Sequence, residues 1–196
     1  MKTSLSIILA VLISGFGGAS AQTLHVENKS VAYNFPASIA GEMIFSSNNT
    51  LTVLGRELAL NENTGMWVDD AAVEDNIVTI TYSGALARVD IAGNIARYVD
   101  ASVDGAHVSV IQSSDVSEST CGEITYRLSG ASDDGSFYME GAFKSSLELL
   151  GLTLTNPSGA AIDVQNGKRV SLSVKSGTTN VLTDGASGSQ KGCIAV

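Results

Sequence analysis

Apolar and polar residues alternate in short runs along most of the chain after residue 22. Between residues 76 and 113 the alternation places Val78, Ile80 and Tyr82 on one face of a run, and Val108 and Val110 on one face of another. A period of two is typical of half-buried β-strands. No window after residue 21 has the three-to-four-residue spacing of an amphipathic helix. The pattern therefore predicts an all-β protein.

The first part of the predicted fold is a small antiparallel β module over residues 22–113. Four short apolar runs between Leu24 and Asp70 are separated by polar turns, and Asn48-Asn49 between two of them indicates a hairpin. The polar stretch that follows has no periodicity, and we interpret residues 114–120 as a linker. Residues 121–196 then form a second unit.

Apolar positions in residues 121–196 recur at one constant interval along the chain. One column contains Ile124, Leu147, Val170 and Cys193, a second contains Tyr126, Leu149 and Leu172, and a third contains Met139 and Ile162. A fixed period in the twenties with matched apolar columns is typical of a solenoid. The second unit is therefore predicted to consist of stacked repeats.

The alternation within each repeat favours a parallel β-helix over leucine-rich repeats. The run from Val170 to Val174 puts apolar side chains on one face and serines on the other, whereas a leucine-rich repeat needs a helical half and a Leu-x-x-Leu-x-Leu frame. About three coils are covered, and Cys193 begins a fourth. Because an open solenoid end exposes core and strand edges, we expect the natural protein to continue beyond residue 196.

The N-terminus has the features of a secretory signal peptide over residues 1–21. Lys2 precedes an apolar run from Ile7 to Ile13, and small residues end at Ala21. The run is shorter than the roughly 20 apolar residues of a membrane-spanning helix, and glycines interrupt the segment after it. We expect cleavage near Ala21, no membrane insertion of the mature chain, and a secreted, periplasmic or cell-surface location.

Charge and cysteine content narrow the range of partners. The net charge is −9, and loss of Lys2 with the signal peptide makes it more negative. Such a chain repels nucleic-acid phosphates and anionic membranes.

Cys121 and Cys193 are the only cysteines, and an oxidising compartment would allow a disulfide between them. The alternative is that both cysteines are small buried residues. The sequence does not indicate the oligomeric state.

Several sequence blocks of the second unit occur in a characteristic order. They are Tyr126-Arg127-Leu128-Ser129-Gly130, then Asp134-Gly135-Ser136-Phe137-Tyr138, then residues 149–156, 159–162 and 176–185. In this order and spacing they resemble a bacterial family of secreted carbohydrate-binding proteins with a pectate-lyase-like fold. The segment from Val31 to Asp69 resembles, less extensively, the N-terminal β-module of exported Bacteroidetes proteins.

The resemblance implies a right-handed parallel β-helix that binds polysaccharide, including acidic plant polymers such as pectin, with calcium assisting. The Asp-Asp-Gly-Ile calcium motifs of that family do not occur in this sequence. We therefore favour an exported, non-catalytic polysaccharide-binding protein. The alternatives are a pectate-type polysaccharide lyase and a structural or adhesive cell-surface protein.

Tyr138 is the candidate carbohydrate-binding residue. It lies between Phe137 and Met139, so it faces solvent if those two face the core. An exposed aromatic ring can stack on the face of a sugar. The alternative is an incidental surface aromatic. Trp67, the only tryptophan, is interpreted as a core residue.

Three aspartates are candidate calcium ligands. Asp133 and Asp134 precede Gly135, and Asp184 precedes Gly185. Carboxylate oxygens at the corner of a coil suit calcium, although Asp and Gly are also ordinary turn residues.

No catalytic residue is assigned. Arg127, Lys168 and Arg169 are the basic residues that bear on the lyase alternative, because lyases of this type use a basic residue beside a calcium-neutralised carboxylate. No calcium cluster accompanies them in the sequence. His25 and His107 lie in different segments without metal-ligand spacing, and both are interpreted as incidental.

Overall fold

The computed structural model describes residues 22–61, 63–185 and 192–196. The predicted signal peptide lies outside these residues. The strands are β1 (Thr23–Asn28), β2 (Val31–Pro36), β3 (Met43–Ser46), β4 (Thr50–Val53), β5 (Arg56–Ala59), β6 (Thr64–Asp69), β7 (Ile77–Ser83), β8 (Leu86–Ala92), β9 (Val99–Asp104), β10 (Ala106–Gln112), β11 (Ile124–Ser132), β12 (Gly135–Gly141), β13 (Ser145–Thr155), β14 (Ile162–Asn166), β15 (Val170–Val174), β16 (Val181–Thr183) and β17 (Ile194–Ala195). The helices are α1 (Ala37–Ala40) and a 3-10 helix (Gly93–Tyr98). The all-β prediction is confirmed.

Two mixed sheets carry most of the chain. The large sheet has the order β15-β13-β11-β7-β8-β2-β1-β6, with β16 also pairing with β13. The second sheet has the order β17-β14-β12-β10-β9. Beyond β10 the chain alternates between them, because β11, β13 and β15 add in parallel to the large sheet while β12, β14 and β17 add in parallel to the second.

The N-terminal part contains the antiparallel pairs that the alternation predicted. Strands β7 and β8 pair antiparallel, as do β9 and β10. A separate three-stranded sheet has the order β3-β4-β5. The predicted hairpin at Asn48-Asn49 joins β3 to β4, and Asn49 has a φ of 56°, a left-handed conformation that Asn tolerates in tight turns.

The apolar core lies between the two sheets. Tyr126 of the large sheet and Phe137 of the second sheet are fully buried, with ring centroids 6.1 Å apart and planes at 52°. The Tyr82 hydroxyl crosses the same space and donates a hydrogen bond to the Ser136 carbonyl at 3.0 Å. Tilted aromatic pairs and a satisfied buried hydroxyl stabilise such a packed layer.

Hydrogen bonding continues across the predicted linker at residues 114–120. Strand β7 pairs with β11, and β10 pairs with β12, so each sheet contains strands from both sides of that segment. One cluster of buried side chains also includes residues from both sides. The division into 22–113 and 121–196 stays a prediction about domain boundaries.

The predicted constant interval is wrong for the strand register. In the large sheet Ile124 pairs with Ser145 and Ser145 with Val170, so the first interval is shorter than predicted and the second is longer. Among Ile124, Leu147 and Val170, the first and last positions are thus correct, and β13 is displaced by two residues. Because side chains alternate with a period of two, this displacement leaves every side chain on its own face.

Two further positions also differ from the prediction. Met139 pairs with Val164 rather than with Ile162. Cys193 immediately precedes β17, which adds to the second sheet, so Cys193 does not continue the column of Ile124. Chain length between coils varies because the turns differ in length, and side-chain alternation alone does not report turn length.

A bulge interrupts β13 where it pairs with β11. Leu128 pairs with Leu149 but Gly130 pairs with Leu152, so β13 carries one extra residue. The Asn180 side-chain oxygen accepts hydrogen bonds from the Gly151 and Leu152 backbone N–H groups at 3.0 and 2.7 Å. This side chain satisfies two donors that the disrupted ladder leaves free.

Neither helix in the described part of the chain has the length and apolar character needed to cross a bilayer.

Candidate functional site

The outer face of the second sheet has the arrangement expected around Tyr138. On β12 the side chains of Phe137 and Met139 are fully buried, while Ser136 and Tyr138 are partly exposed. The alternation follows from the pleat of a regular strand. Tyr138 therefore points away from the core, as the sequence predicted.

Parallel pairing brings a row of polar side chains to this face. Tyr138 lies beside Ser109 on β10 and beside Asp163 on β14, while Ser136 lies beside His107. We refer to the outward side chains of His107, Ser136, Tyr138, Glu140, Asp163 and Gln165 as the Tyr138 face. Its strands are spaced by about 4.8 Å, as in any sheet, so the groups form a flat and regular surface.

Hydrogen bonds fix the polar groups next to the Tyr138 ring. The Tyr138 hydroxyl donates to a Glu140 carboxylate oxygen at 3.1 Å, and the Gln165 amide donates to Asp163 at 2.6 Å. Partial desolvation, the hydrogen bond to Glu140, and the negative charges of Glu140 and Asp163 raise the pKa of the Tyr138 phenol. The phenol therefore stays neutral at physiological pH and acts as a hydrogen-bond donor.

One end of the Tyr138 face contains a serine, a histidine and a carboxylate. His107 Nδ1 lies 2.9 Å from Ser136 Oγ, and His107 Nε2 lies 3.4 Å from Asp134 Oδ1. The exposed side-chain fractions are 44% for His107 and 73% for Asp134. Both side chains are open to water, and together with Ser136 they offer hydrogen-bond donors and acceptors to hydroxyl groups.

The interpretation of His107 as incidental did not anticipate that its side chain lies on the Tyr138 face. His107 on β10 pairs with Ser136 on β12, so their proximity depends on a long-range register that the sequence did not reveal. The useful signal was local. His107 directly precedes Val108, and its outward direction follows from the buried Val108 and Val110.

The three predicted calcium ligands lie at turns. Asp133 and Asp134 form the exposed bend between β11 and β12, and Asp184 directly follows β16. Within the residues that the structure describes, no group of three or more His, Cys, Asp or Glu side chains is arranged to hold a metal ion. Calcium binding by these aspartates stays a prediction.

The two cysteines are free, half-buried thiols. Burial raises the pKa of the Cys121 thiol, which lowers its reactivity because the thiolate is the nucleophile. The sequence led us to the alternative that both are buried, whereas each is only partly buried. The disulfide between Cys121 and Cys193 stays a prediction.

Two of the basic residues that bear on the lyase alternative are held in ion pairs on the outer face of the large sheet. Arg127 contacts Glu74 at 2.6 Å and Glu148 at 2.9 Å, and these hydrogen bonds raise its pKa. Arg169 contacts Glu123 at 2.9 Å. A guanidinium paired in this way does not release its proton to become a base, so the geometry gives the lyase alternative no support.

Trp67 is not a core residue. Its side chain is 40% exposed, which corrects the interpretation from the sequence. The ring stacks on His25, so the second histidine also has a specific contact. Strand β6 is at the edge of the large sheet, and an edge strand has fewer neighbours to cover its side chains.

The C-terminal part of the chain matches a known family. Residues 112–195 match the model of a family described as "Carbohydrate-binding domain-containing protein". No curated protein and no solved structure matches the chain. The matched segment includes β12 and β14, and with them Tyr138 and Asp163. The match supports a carbohydrate-binding role.

Proposed function

We propose that this chain is an exported, non-catalytic protein that binds polysaccharide on the Tyr138 face. The main support is the outward Tyr138 ring, which lies within the segment that matches the carbohydrate-binding family and is flanked by hydrogen-bonding groups on β10 and β14. An aromatic ring offers apolar area to a sugar face, and flanking carboxylate, amide and hydroxyl groups offer partners to sugar hydroxyls.

The strand arrangement suits a long polymer. Parallel strands repeat at about 4.8 Å, so similar polar groups recur across β10, β12 and β14. Each contact with a solvated hydroxyl is weak, because it replaces a hydrogen bond to water. We therefore expect affinity to depend on the number of sugar residues bound, and short oligosaccharides to bind weakly.

The successive coils support a more detailed proposal for the fold. From β11 to β15, successive strands add alternately to the large sheet and to the second sheet. Strand β16 then also pairs with β13 in the large sheet, and β17 adds to the second sheet, all in parallel. We propose that these strands are coils of a right-handed parallel β-helix. Leu172 and Val174 of β15 are exposed apolar residues. They pair with the buried Leu147 and Leu149 of β13, as residues of the next coil in such a stack would.

The charge of the face favours neutral glycans. Asp134, Glu140 and Asp163 lie on or beside it, and each acts on a charge that binds within about 8 Å at physiological salt. A uronate polymer would be repelled by these carboxylates unless a cation bridged the two. Binding of acidic glycans to this face therefore requires a metal ion such as calcium between the two sets of carboxylates.

A retention assay on insoluble glycans tests the proposal. The mature chain is incubated with cellulose, xylan, mannan and calcium pectate, with and without a chelator. We expect retention on at least one polymer. Retention on a neutral polymer that persists with chelator supports direct binding, and retention on pectate that chelator abolishes supports the calcium version. Retention on none of them contradicts the proposal.

Two variants of Tyr138 separate ring stacking from hydrogen bonding. Tyr138→Ala removes the ring, and we expect affinity for the retained polymer to fall about tenfold or more, which corresponds to ~1.4 kcal/mol. Tyr138→Phe keeps the ring and removes only the bond to Glu140, so it should lose less. Ser173→Ala on β15 of the large sheet is the control and should bind as the unmodified chain does.

A further inference from the structure

Trp67 forms a rigid aromatic surface in the N-terminal part of the chain. It lies on β6, directly across from His25 on β1. The two rings are parallel, with centroids 4.9 Å apart and planes at 8°. His25 is 8% exposed while Trp67 is 40% exposed. The imidazole therefore supports the indole from the buried side, and part of the indole remains open to solvent.

Hydrogen bonds hold this pair in place. His25 Nδ1 lies 2.8 Å from Asn34 Oδ1, and His25 Nε2 lies 2.9 Å from Asp69 Oδ1. Asp69 also accepts the Ala71 backbone N–H at 2.8 Å. The Ala71 N–H, the His25 side chain and the Trp67 side chain lower the pKa of Asp69. The carboxylate is thus ionised and fixed two residues beyond Trp67, on the same side of the strand.

Gly65 leaves the indole accessible along β6. It lies two residues before Trp67, on the same side of the strand. A Cβ atom at this position would lie 3.6 Å from Trp67 Cζ3. Any larger side chain would extend over the six-membered ring from this point. The absence of a side chain at Gly65 therefore keeps one approach to the ring open.

We propose that Trp67, Asp69 and the opening at Gly65 form a second sugar-binding site, which takes a ring of a neutral oligosaccharide. The indole supplies a stacking surface whose orientation is already fixed, so little conformational freedom is lost on binding. Asp69, with 47% of its side chain exposed, accepts hydrogen bonds from sugar hydroxyls. Asp69 and the adjacent Asp70 repel a uronate, which restricts the site to uncharged sugars.

This site goes beyond the function proposed for the Tyr138 face. Trp67 lies outside the segment 112–195 that matches the carbohydrate-binding family, and β6 is at the opposite end of the large sheet from β15. Two sites on one chain would raise the affinity for a polymer that reaches both, through the effective concentration of the second contact.

Intrinsic fluorescence tests the second site directly, because Trp67 is the only tryptophan. The mature chain is titrated with cellohexaose, xylohexaose and mannohexaose, and with hexagalacturonate in calcium-free buffer. We expect at least one neutral hexasaccharide to change the Trp67 emission saturably, and hexagalacturonate to leave it unchanged. Gly65→Val should weaken the fluorescence response at least fivefold, because its methyl groups fill the space beside the indole while both Trp67 and Asp69 are kept.

The inference is overturned if no neutral hexasaccharide changes the emission at millimolar concentration, if hexagalacturonate changes it as strongly, or if Gly65→Val responds as the unmodified chain does. Tyr138→Ala separates this site from the first. This variant should keep the full fluorescence response even where it loses retention on the polymer. If the Tyr138 face does not bind polymer, the proposal for the Trp67 site is therefore still tested independently. Loss of the fluorescence response in Tyr138→Ala would overturn the independence of the second site.

Discussion

Gly130 and Gly151 have nearly identical φ angles but different surroundings. Replacing each with alanine therefore tests the effect of the surroundings. Gly130 on β11 has a φ of +88° and Gly151 on β13 a φ of +86°. Left-handed backbone of this kind costs about 1–2 kcal/mol for a residue with a Cβ atom. That cost should be similar at the two positions, and so should the loss of unfolded-state entropy that accompanies any Gly→Ala change.

The surroundings of the two glycines differ. A Cβ atom at Gly130 would lie 2.0 Å from the Tyr82 carbonyl oxygen of the neighbouring strand, whereas one at Gly151 would have no atom within 4 Å. Relief of the contact requires β7 and β11 to separate locally. Loss of one or two backbone hydrogen bonds adds about 1–3 kcal/mol. We expect Gly130→Ala to lower the free energy of unfolding by about 2–5 kcal/mol, and Gly151→Ala by about 1–2 kcal/mol.

Urea unfolding followed by circular dichroism measures both variants. A shift of the midpoint at constant slope reports a change in stability rather than in the denatured state. Equal losses in the two variants, or a larger loss in Gly151→Ala, would contradict the steric role of the Tyr82 carbonyl, which is a close contact at Gly130 and absent at Gly151.

Three further outcomes follow from the packing and the charges. Phe137→Ala removes a fully buried ring and should lower the free energy of unfolding by about 3–5 kcal/mol in the same assay. Leu86→Ala changes a residue that is 64% exposed and should change the free energy of unfolding by less than ~0.5 kcal/mol. Arg127→Gln breaks ion pairs with Glu74 and Glu148, whose side chains are 64% and 33% exposed. Pairs near the surface contribute about 0–1 kcal/mol, so a loss well above ~1 kcal/mol would contradict so weak a contribution. The pKa of Asp69 is lowered, so its stabilising contacts are present above the ordinary aspartate pKa of about 3.9 and are lost only as the pH falls through a lower value. NMR of the Asp69 side-chain carboxyl carbon follows this titration, and a midpoint above the ordinary value would contradict it.

The strands could be predicted because their signal is local. In β7, β10 and β12, the buried residues alternate with outward ones, as the sequence indicates. The same signal gave the direction of Tyr138, since it depends only on the neighbours Phe137 and Met139. Alternation of this kind is imposed by the pleat and needs no knowledge of the partner strand.

The register could not be predicted from alternation. A shift of two residues preserves both faces, so the displacement of β13 leaves the apolar pattern unchanged. The bulge at Gly151 adds one more residue to β13, and the turns set the remaining differences in coil length. For the same reason the sequence alone could not place His107 and Asp163 beside β12.

The misplacement of Trp67 has a different cause. Aromatic residues in a strand usually signal a buried position, but β6 is at the edge of the large sheet and most of its residues are exposed. The position of a strand within a sheet depends on long-range pairing. The residue pattern of β6 alone does not contain that information.

The most direct test of the central claim is to map which face of the protein contacts the polymer. Backbone NMR chemical shifts of the isotopically labelled mature chain are recorded with and without a soluble oligosaccharide of the polymer that retains it. We expect the largest changes on β10, β12 and β14, centred on Tyr138. Changes centred instead on β11, β13 and β15, around the ion pairs of Arg127, would contradict it.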